Sequence, residues 1–203
     1  MSNSKASRFN SLVAQAENCS LCSRMISRRP VLSSLNGNLD SKVVFIAEAP
    51  GRLGADKYRI PLYGDQTGRN FERLLDYAGL KRDSVFITNA VLCNPRQENG
   101  NNSSPAATEI RNCSHFLNDT IEIINPELIV TLGVRALIAL NLILPHSRTL
   151  SKQVAQSFNW KGFQVLPLYH PGPMAIISRK LSTQEKDYQK IAEILYSEEL
   201  AYE

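Results

Sequence analysis

The chain has 203 residues, a formal charge of +4, and 43% hydrophobic and 21% charged residues. That composition fits one ordinary folded domain and excludes a disordered chain. No apolar run approaches the roughly 18 residues of a membrane span, residues 1–12 hold no apolar signal core, and so small a charge admits nucleic acid without requiring it.

Residues 5–18 read as a helix with Phe9, Leu12, Val13 and Ala16 on one face. Cys19-Ser-Leu-Cys22 follows, then Arg24, Arg28 and Arg29, and a Ser/Asn/Gly-rich loop over 33–40. Residues 43–47, Val-Val-Phe-Ile-Ala, are uncharged and rich in β-branched residues, the signature of a strand buried on both faces. Glu48 ends the run and Ala49-Pro50-Gly51 turns the chain into a loop of about 20 residues, a length that is usually functional or disordered. A helix is predicted over 69–80, a second buried strand over 85–89, and a loop over 90–104 carrying Cys93, Pro95 and Arg96. Ser104-Pro105 reads as an N-cap and first helical position, opening a helix to about 124 whose buried stripe is Ile110, Cys113, Leu117, Ile121 and Ile124. A strand over 128–132, a helix over 133–142, an irregular stretch over 145–160, a strand over 163–168 and a charged helix over 183–200 complete the chain.

Strands alternating with helices predict an α/β fold: a three-layer α/β/α sandwich around a central, mainly parallel, four-stranded sheet. A single domain spans 1–203, with the segment 1–40 packed on it. Glu48, Asn89 and His170 then stand at the carboxyl ends of strands, where open α/β sheets place their ligand sites. His170 is pinned by Pro171 and Pro173 and suits donation to a developing anion. Glu48 reads either as an acid satisfied by loop amides or as a carboxylate that holds a water; Asp56 offers a second carboxylate, and Asp65 a helix cap. Asn89 either closes a strand or reads a base edge. His115 and His146 read as structural. Arg52, Lys57, Arg59, Arg69 and Arg96, interleaved with Tyr58 and Tyr63, are either a solvated face or a groove for phosphates and a stacked base. The spacing Cys-x2-Cys, 70 residues, Cys-x19-Cys matches neither a zinc ribbon nor a two-cluster ferredoxin, and leaves iron–sulfur and zinc both open.

These residues, in this order, resemble the uracil-DNA glycosylase superfamily, specifically its iron–sulfur families 4 and 5. Cys19-Ser-Leu-Cys22 resembles the N-terminal cluster ligands, Phe45-Ile46-Ala47-Glu48-Ala49-Pro50-Gly51 the first active-site motif, and Ile87-Thr88-Asn89-Ala90-Val91-Leu92-Cys93 the segment with the base-reading Asn. Glu109-Ile110-Arg111-Asn112-Cys113 resembles the helix with the fourth Cys, Ile124-Asn125-Pro126-Glu127 through Thr131-Leu132-Gly133 the following unit, and Tyr169-His170-Pro171-Gly172 the last motif.

The resemblance implies a hydrolase that flips uracil out of DNA, single- or double-stranded, and cleaves its N-glycosidic bond. It makes His170 the donor to the departing base, Glu48 or Asp56 the holder of the water, and Ala49, Gly51, Asn89 and Leu62 or Tyr63 the base-binding wall. Contacts to DNA fall to Arg52, Lys57, Thr67 and Gly172, with Met174 or Ile176 as a wedge. A structural 4Fe-4S cluster on Cys19, Cys22, Cys93 and Cys113 is implied, placing Arg24, Arg28 and Arg29 at phosphates, in a monomeric cytoplasmic enzyme of prokaryotic type. Three departures stand out. The first motif combines the Glu of family 4 with an Asp56 that resembles family 5. Leu62 replaces the usual stacking Phe. Gly172 replaces the usual Ser. Gly51, where other members carry a bulky block, implies tolerance of bases beyond uracil. The rivals are a non-catalytic or trapping binder of uracil-DNA and a zinc-stabilised nucleic-acid module.

Overall fold

The computed structural model describes residues 4–25 and 27–199. Helix α1 (Lys5–Glu17) starts where the Ser4 hydroxyl accepts a hydrogen bond from the Ser7 N–H, and buries Phe9, Leu12 and Ala16. Strand β1 (Val43–Ala47) is buried throughout, as its apolar run predicts. The long loop after it holds one turn of helix, α2 (Ala55–Tyr58). Helix α3 (Gln66–Tyr77) begins earlier than predicted because Asp65 caps it, accepting from the Gly68 N–H at 2.9 Å. Strand β2 (Phe86–Asn89) and helix α4 (Ala107–Ile124) follow.

The predicted Ser104-Pro105 start of α4 is displaced by two residues. Ala106 is the N-cap residue, and the Glu109 side chain accepts its N–H at 2.7 Å, the reciprocal half of a capping box. Strand β3 (Leu128–Leu132) leads into α5 (Val134–Ile143). The stretch expected to be irregular holds α6 (Leu150–Gln153) and strand β4 (Phe158–Trp160), which turns straight into β5 (Phe163–Leu168). Two further helices, α7 (Pro173–Ser178), which sequence reading missed, and α8 (Leu181–Glu199), end the described chain.

The sheet therefore has five strands rather than four, in the order β2-β1-β3-β5-β4. All pairs are parallel except the edge hairpin β4–β5. Lys161 and Gly162 both have positive φ (53° and 85°), the backbone of a tight two-residue hairpin turn. The opposite edge, β2, is covered by the preceding loop: the Asn36 side chain donates to the Ile87 carbonyl at 2.7 Å and Gly37 bridges Phe86.

Alternation along β1 sends its side chains to two cores. Val44 and Ile46 pack under α1, α4 and α5; Val43, Phe45 and Ala47 pack under α3 and α8, around Phe71 and Tyr188. This is the expected three-layer sandwich. Among the described residues no helix is long and apolar enough to cross a membrane.

Candidate active site

Chain order reverses direction across the sheet at β1, with β2 on one side and β3 on the other. Such a switch point leaves a crevice beyond the carboxyl ends of the strands. A cleft of about 190 Å³ opens there, and Glu48, Asn89 and His170, from the ends of β1, β2 and β5, all line it. Ala49, Gly51, Leu62 and Thr67 line it too.

Asn89 is only 3% exposed, and its Nδ2 is buried without a hydrogen-bond partner among the described residues. Leaving a buried donor unpaired costs about 1–3 kcal/mol, so such a group in a cleft points to a ligand. Its backbone is held by the parallel register with Ala47, and by hydrogen bonds from Ala90 N–H to the Ala47 carbonyl (2.8 Å) and Val91 N–H to the Glu48 carbonyl (3.1 Å).

His170 is set by its own turn. The Gly172 N–H donates to Nδ1 at 3.0 Å, so the ring proton sits on Nε2. Burial pushes its pKa down to about 4; Asp65 opposes the shift without overcoming it. A neutral ring that can only donate from Nε2 results. A Cβ on Gly172 would stand 2.7 Å from His170 Nδ1, which explains why this turn carries Gly. From α3, Asn70 Nδ2 donates to the Pro171 carbonyl at 2.7 Å and ties the motif to the helix.

The carboxylates separate. Glu48 lines the cleft. Asp56 does not: Arg96 Nη2 reaches its Oδ2 at 2.5 Å and Arg59 Nη1 its Oδ1 at 3.5 Å, turning it into the centre of an ion-pair network. Asp65 does line the cleft. One of its oxygens caps α3, while Oδ2 would lie 3.4 Å from a Cβ on Gly51. Its cap signature hid this second role in the sequence. Asn94, Asn102 and Ser103 also line the cleft unpredicted. Asn102 Oδ1 accepts from Asn94 Nδ2 (3.1 Å) and from the Arg52 N–H (2.9 Å), folding a polar tract of no local pattern back onto the site.

Leu62 presents a buried face to the cleft from a left-handed backbone, φ 47°. Arg82 holds that strained turn, donating from Nη1 to the Pro61 carbonyl (2.9 Å) and from Nη2 to the Leu62 carbonyl (2.6 Å), with Glu72 paired to its Nε. Tyr63 is outside the lining, 44% exposed and edge-on to Tyr58. Arg52 and Lys57 are exposed on the loop, and Lys57 Nζ lies 5.0 Å over the Tyr58 ring. Met174 is 80% exposed on α7 and Ile177, one turn on, 78%; Ile176 is half-buried.

The four cysteines carry no disulfide. Burial pushes Cys93 up to about 11 and Cys113 up to about 12, and in both the neighbouring cysteines add to the effect, so the four sulfurs share one electrostatic neighbourhood. Among the described residues no three His, Cys, Asp or Glu side chains are grouped so as to hold a single metal ion. Two groups orient the sulfurs: the Leu92 N–H lies 3.4 Å from Cys113 Sγ and Asn112 Nδ2 lies 3.6 Å from Cys22 Sγ. Arg24, expected at phosphate, instead forms a two-pronged pair with Glu109 (2.6 and 2.7 Å) and so straps the segment after Cys22 to α4.

The family model described as Uracil DNA glycosylase superfamily matches residues 36–195. The chain belongs to the uracil-DNA glycosylase superfamily. Within it, the chain is similar to a protein of Thermotoga maritima named type-4 uracil-DNA glycosylase: 35% identity over 159 residues, covering 77% of this chain and 78% of the other. A protein of the same name from Archaeoglobus fulgidus is 32% identical over 163 residues, covering 78% and 79%. A type-5 uracil-DNA glycosylase of Pyrobaculum aerophilum is 26% identical over 204 residues, covering 87% and 88%. Likeness to both types agrees with the mixed first motif of this superfamily member.

Proposed function

We infer that this chain is a DNA-repair glycosylase that hydrolyses the N-glycosidic bond of uracil in DNA and leaves an abasic site. The observation that carries the reading is the meeting of the unpartnered Asn89 amide with the Nε2–H of a neutral His170 in one cleft. An amide that offers a donor and an acceptor together matches a pyrimidine edge. The target bond is inaccessible inside a duplex, so the nucleotide must leave the stack to enter the cleft, at a cost of a few kcal/mol. A G·U mismatch or a single strand lowers that cost, and both are expected to be preferred over A·U.

The roles follow from position. Asn89 reads the base edge, and Leu62 packs on its face. As the C1′–N1 bond breaks, the electron pair leaves with the base, and His170 Nε2–H donates to the pyrimidine oxygen where the charge collects. One such donor is worth about 3–4 kcal/mol. Water then forms the new bond to C1′ and yields its proton to a carboxylate. Glu48 and Asp65 face the cleft and are placed for this; Asp56 is held by two arginines and serves the architecture. Met174 and Ile177 project from α7 beside the His motif, and either suits the space a flipped base vacates. Gly51 leaves one wall open, which favours acceptance of other deaminated bases. Strict rejection of all of them would remove that part of the reading.

Cys19, Cys22, Cys93 and Cys113 suit a 4Fe-4S cluster. Four free thiols that share one neighbourhood would provide its four ligands. When bound, the cluster supplies a structural cross-link; no step of the hydrolysis uses it.

The test is turnover on an end-labelled oligonucleotide with one uracil, in single-stranded, G·U and A·U forms, with alkali to reveal abasic sites. Multiple turnovers by the parent, and a loss of roughly a hundredfold or more in His170→Ala, are expected. DNA binding without cleavage of any form would replace the enzyme with a binder. Glu48→Gln, Asp65→Asn and Asp56→Asn, assayed together, identify the carboxylate that handles water.

A further inference from the structure

A second concavity of about 390 Å³ lies away from the reaction cleft, lined by Glu17, Arg28, Arg29, Pro30, Ser33 and Arg59 among others. Three arginines and one carboxylate line it, and of the three Arg59 is already paired with Asp56 outside the lining. Of the three arginines that follow Cys22, Arg24 is consumed by Glu109, but among the described residues neither Arg28 nor Arg29 forms an ion pair. Arg28 Nε is buried and has no hydrogen-bond partner, a rare condition for so strong a donor. Arg59 is held in place for the pocket at a cost. Its backbone is left-handed (φ 61°), a conformation that costs a non-glycine residue about 1–2 kcal/mol. Its Nη2 donates to the Pro30 carbonyl and its Nη1 to the Asp56 carbonyl at 3.3 Å. Arginine forks of this kind match the oxygens of a phosphate.

The pocket is also tied to the reaction cleft. Asp56 joins Arg59 to Arg96 (3.5 and 2.5 Å), and Arg96 Nε donates to Asn94 Oδ1 at 2.7 Å. Asn94 lines the cleft. A chain of charged and polar groups thus fixes the spacing between the two sites. A strand whose base enters the cleft carries one phosphate per nucleotide, and a rigidly spaced anion pocket holds its register.

We propose that the Arg28–Arg29–Arg59 pocket binds a backbone phosphate of the DNA strand, away from the reacting nucleotide. The proposal rests on the chain acting on DNA, but its test does not need uracil. The probe is a fluorescein-labelled, uracil-free single-stranded oligonucleotide, titrated with the full-length protein by anisotropy over a salt series. Arg28→Ala and Arg29→Ala should each weaken binding by about threefold or more at low salt and flatten the dependence of log K on log salt by about 0.7. Glu17→Gln removes the opposing carboxylate and should tighten binding. Arg29 is exposed, so Arg29→Ala and Glu17→Gln keep the test open if Arg28→Ala fails to fold. Parent-like affinity and slope in both arginine variants would overturn the proposal. So would a pocket that takes only free anion: inorganic phosphate raising the Tm of the parent but not of Arg29→Ala, with strand binding unchanged. Loss of uracil excision alone would sink the glycosylase reading and leave these binding results standing.

Discussion

His170 owes its usefulness to two neighbours that contribute no chemistry. The Gly172 N–H fixes the tautomer, and burial keeps the ring neutral with a pKa of about 4 against an ordinary 6.5. The unfolded chain takes up the proton first as pH falls. The stability that His170 contributes is therefore complete above pH 6.5 and is lost as pH falls towards 4. Denaturant titrations of the parent and His170→Gln across that window should converge at the acid end. Excision should stay level through the same window, because the folded donor is already neutral; a rate that rises with ring protonation would mean that the imidazolium is the donor. Gly172→Ala should move the ring, since its Cβ would meet Nδ1 at 2.7 Å. We expect about a tenfold or greater loss in kcat, because the lost interaction is made as the bond breaks. The Gly was legible as a departure from the usual Ser; its reason, a contact distance, was not.

At the scale of elements, the Pro61–Leu62 turn of the loop between β1 and α3 is gripped by a side chain from elsewhere. Arg82, in the turn before β2, grips the Pro61 and Leu62 carbonyls and lies over the Phe71 ring at 5.7 Å. Leu62 in a left-handed conformation stores about 1–3 kcal/mol of strain, and Arg82→Ala removes the two hydrogen bonds that oppose its release. That variant should unfold about 2 kcal/mol more easily, measured by urea titration, and should bind uracil-DNA more weakly as the Leu62 wall relaxes. Leu62→Gly in the Arg82→Ala background removes the strain and should recover part of the stability while leaving binding weak. The hairpin that sequence reading missed belongs to this scale too. Its strand is three residues long, too short for a period to show, and the Lys161-Gly162 turn was the usable signal.

For the whole molecule, the cysteine site joins three separated stretches of chain: the segment after α1, the loop after β2, and α4. Arg24–Glu109 is a further strap across that junction, beside the hydrogen bond from Asn112 Nδ2 to the Leu21 carbonyl (3.1 Å). Cys113→Ser should lower the Tm by several degrees and expose the segment 19–32 to proteolysis. His170-dependent chemistry should change little in the protein that remains folded. Absorbance near 400 nm in freshly purified protein, lost with chelator and oxidant together with the drop in Tm, tests the cluster; zinc by metal analysis without colour would replace it.

Periodicity and β-branched runs determined the layers, the four parallel strands and the rim on which Glu48, Asn89 and His170 meet, because each of those depends on which residues must leave water. Motif order determined the superfamily. Only the tertiary structure decided which carboxylates face the cleft. Asp56 and Asp65 sit in the same loop with the same chemistry, and what separates them is Arg96, forty residues away, which pairs with one and leaves the other open to the site. The same is true of Arg24 and Arg28: both follow Cys22, yet Glu109 takes the first and, among the described residues, no acid pairs with the second. Long-range pairing of charges has no local pattern, so the sequence could propose candidates for these roles and the fold had to choose among them.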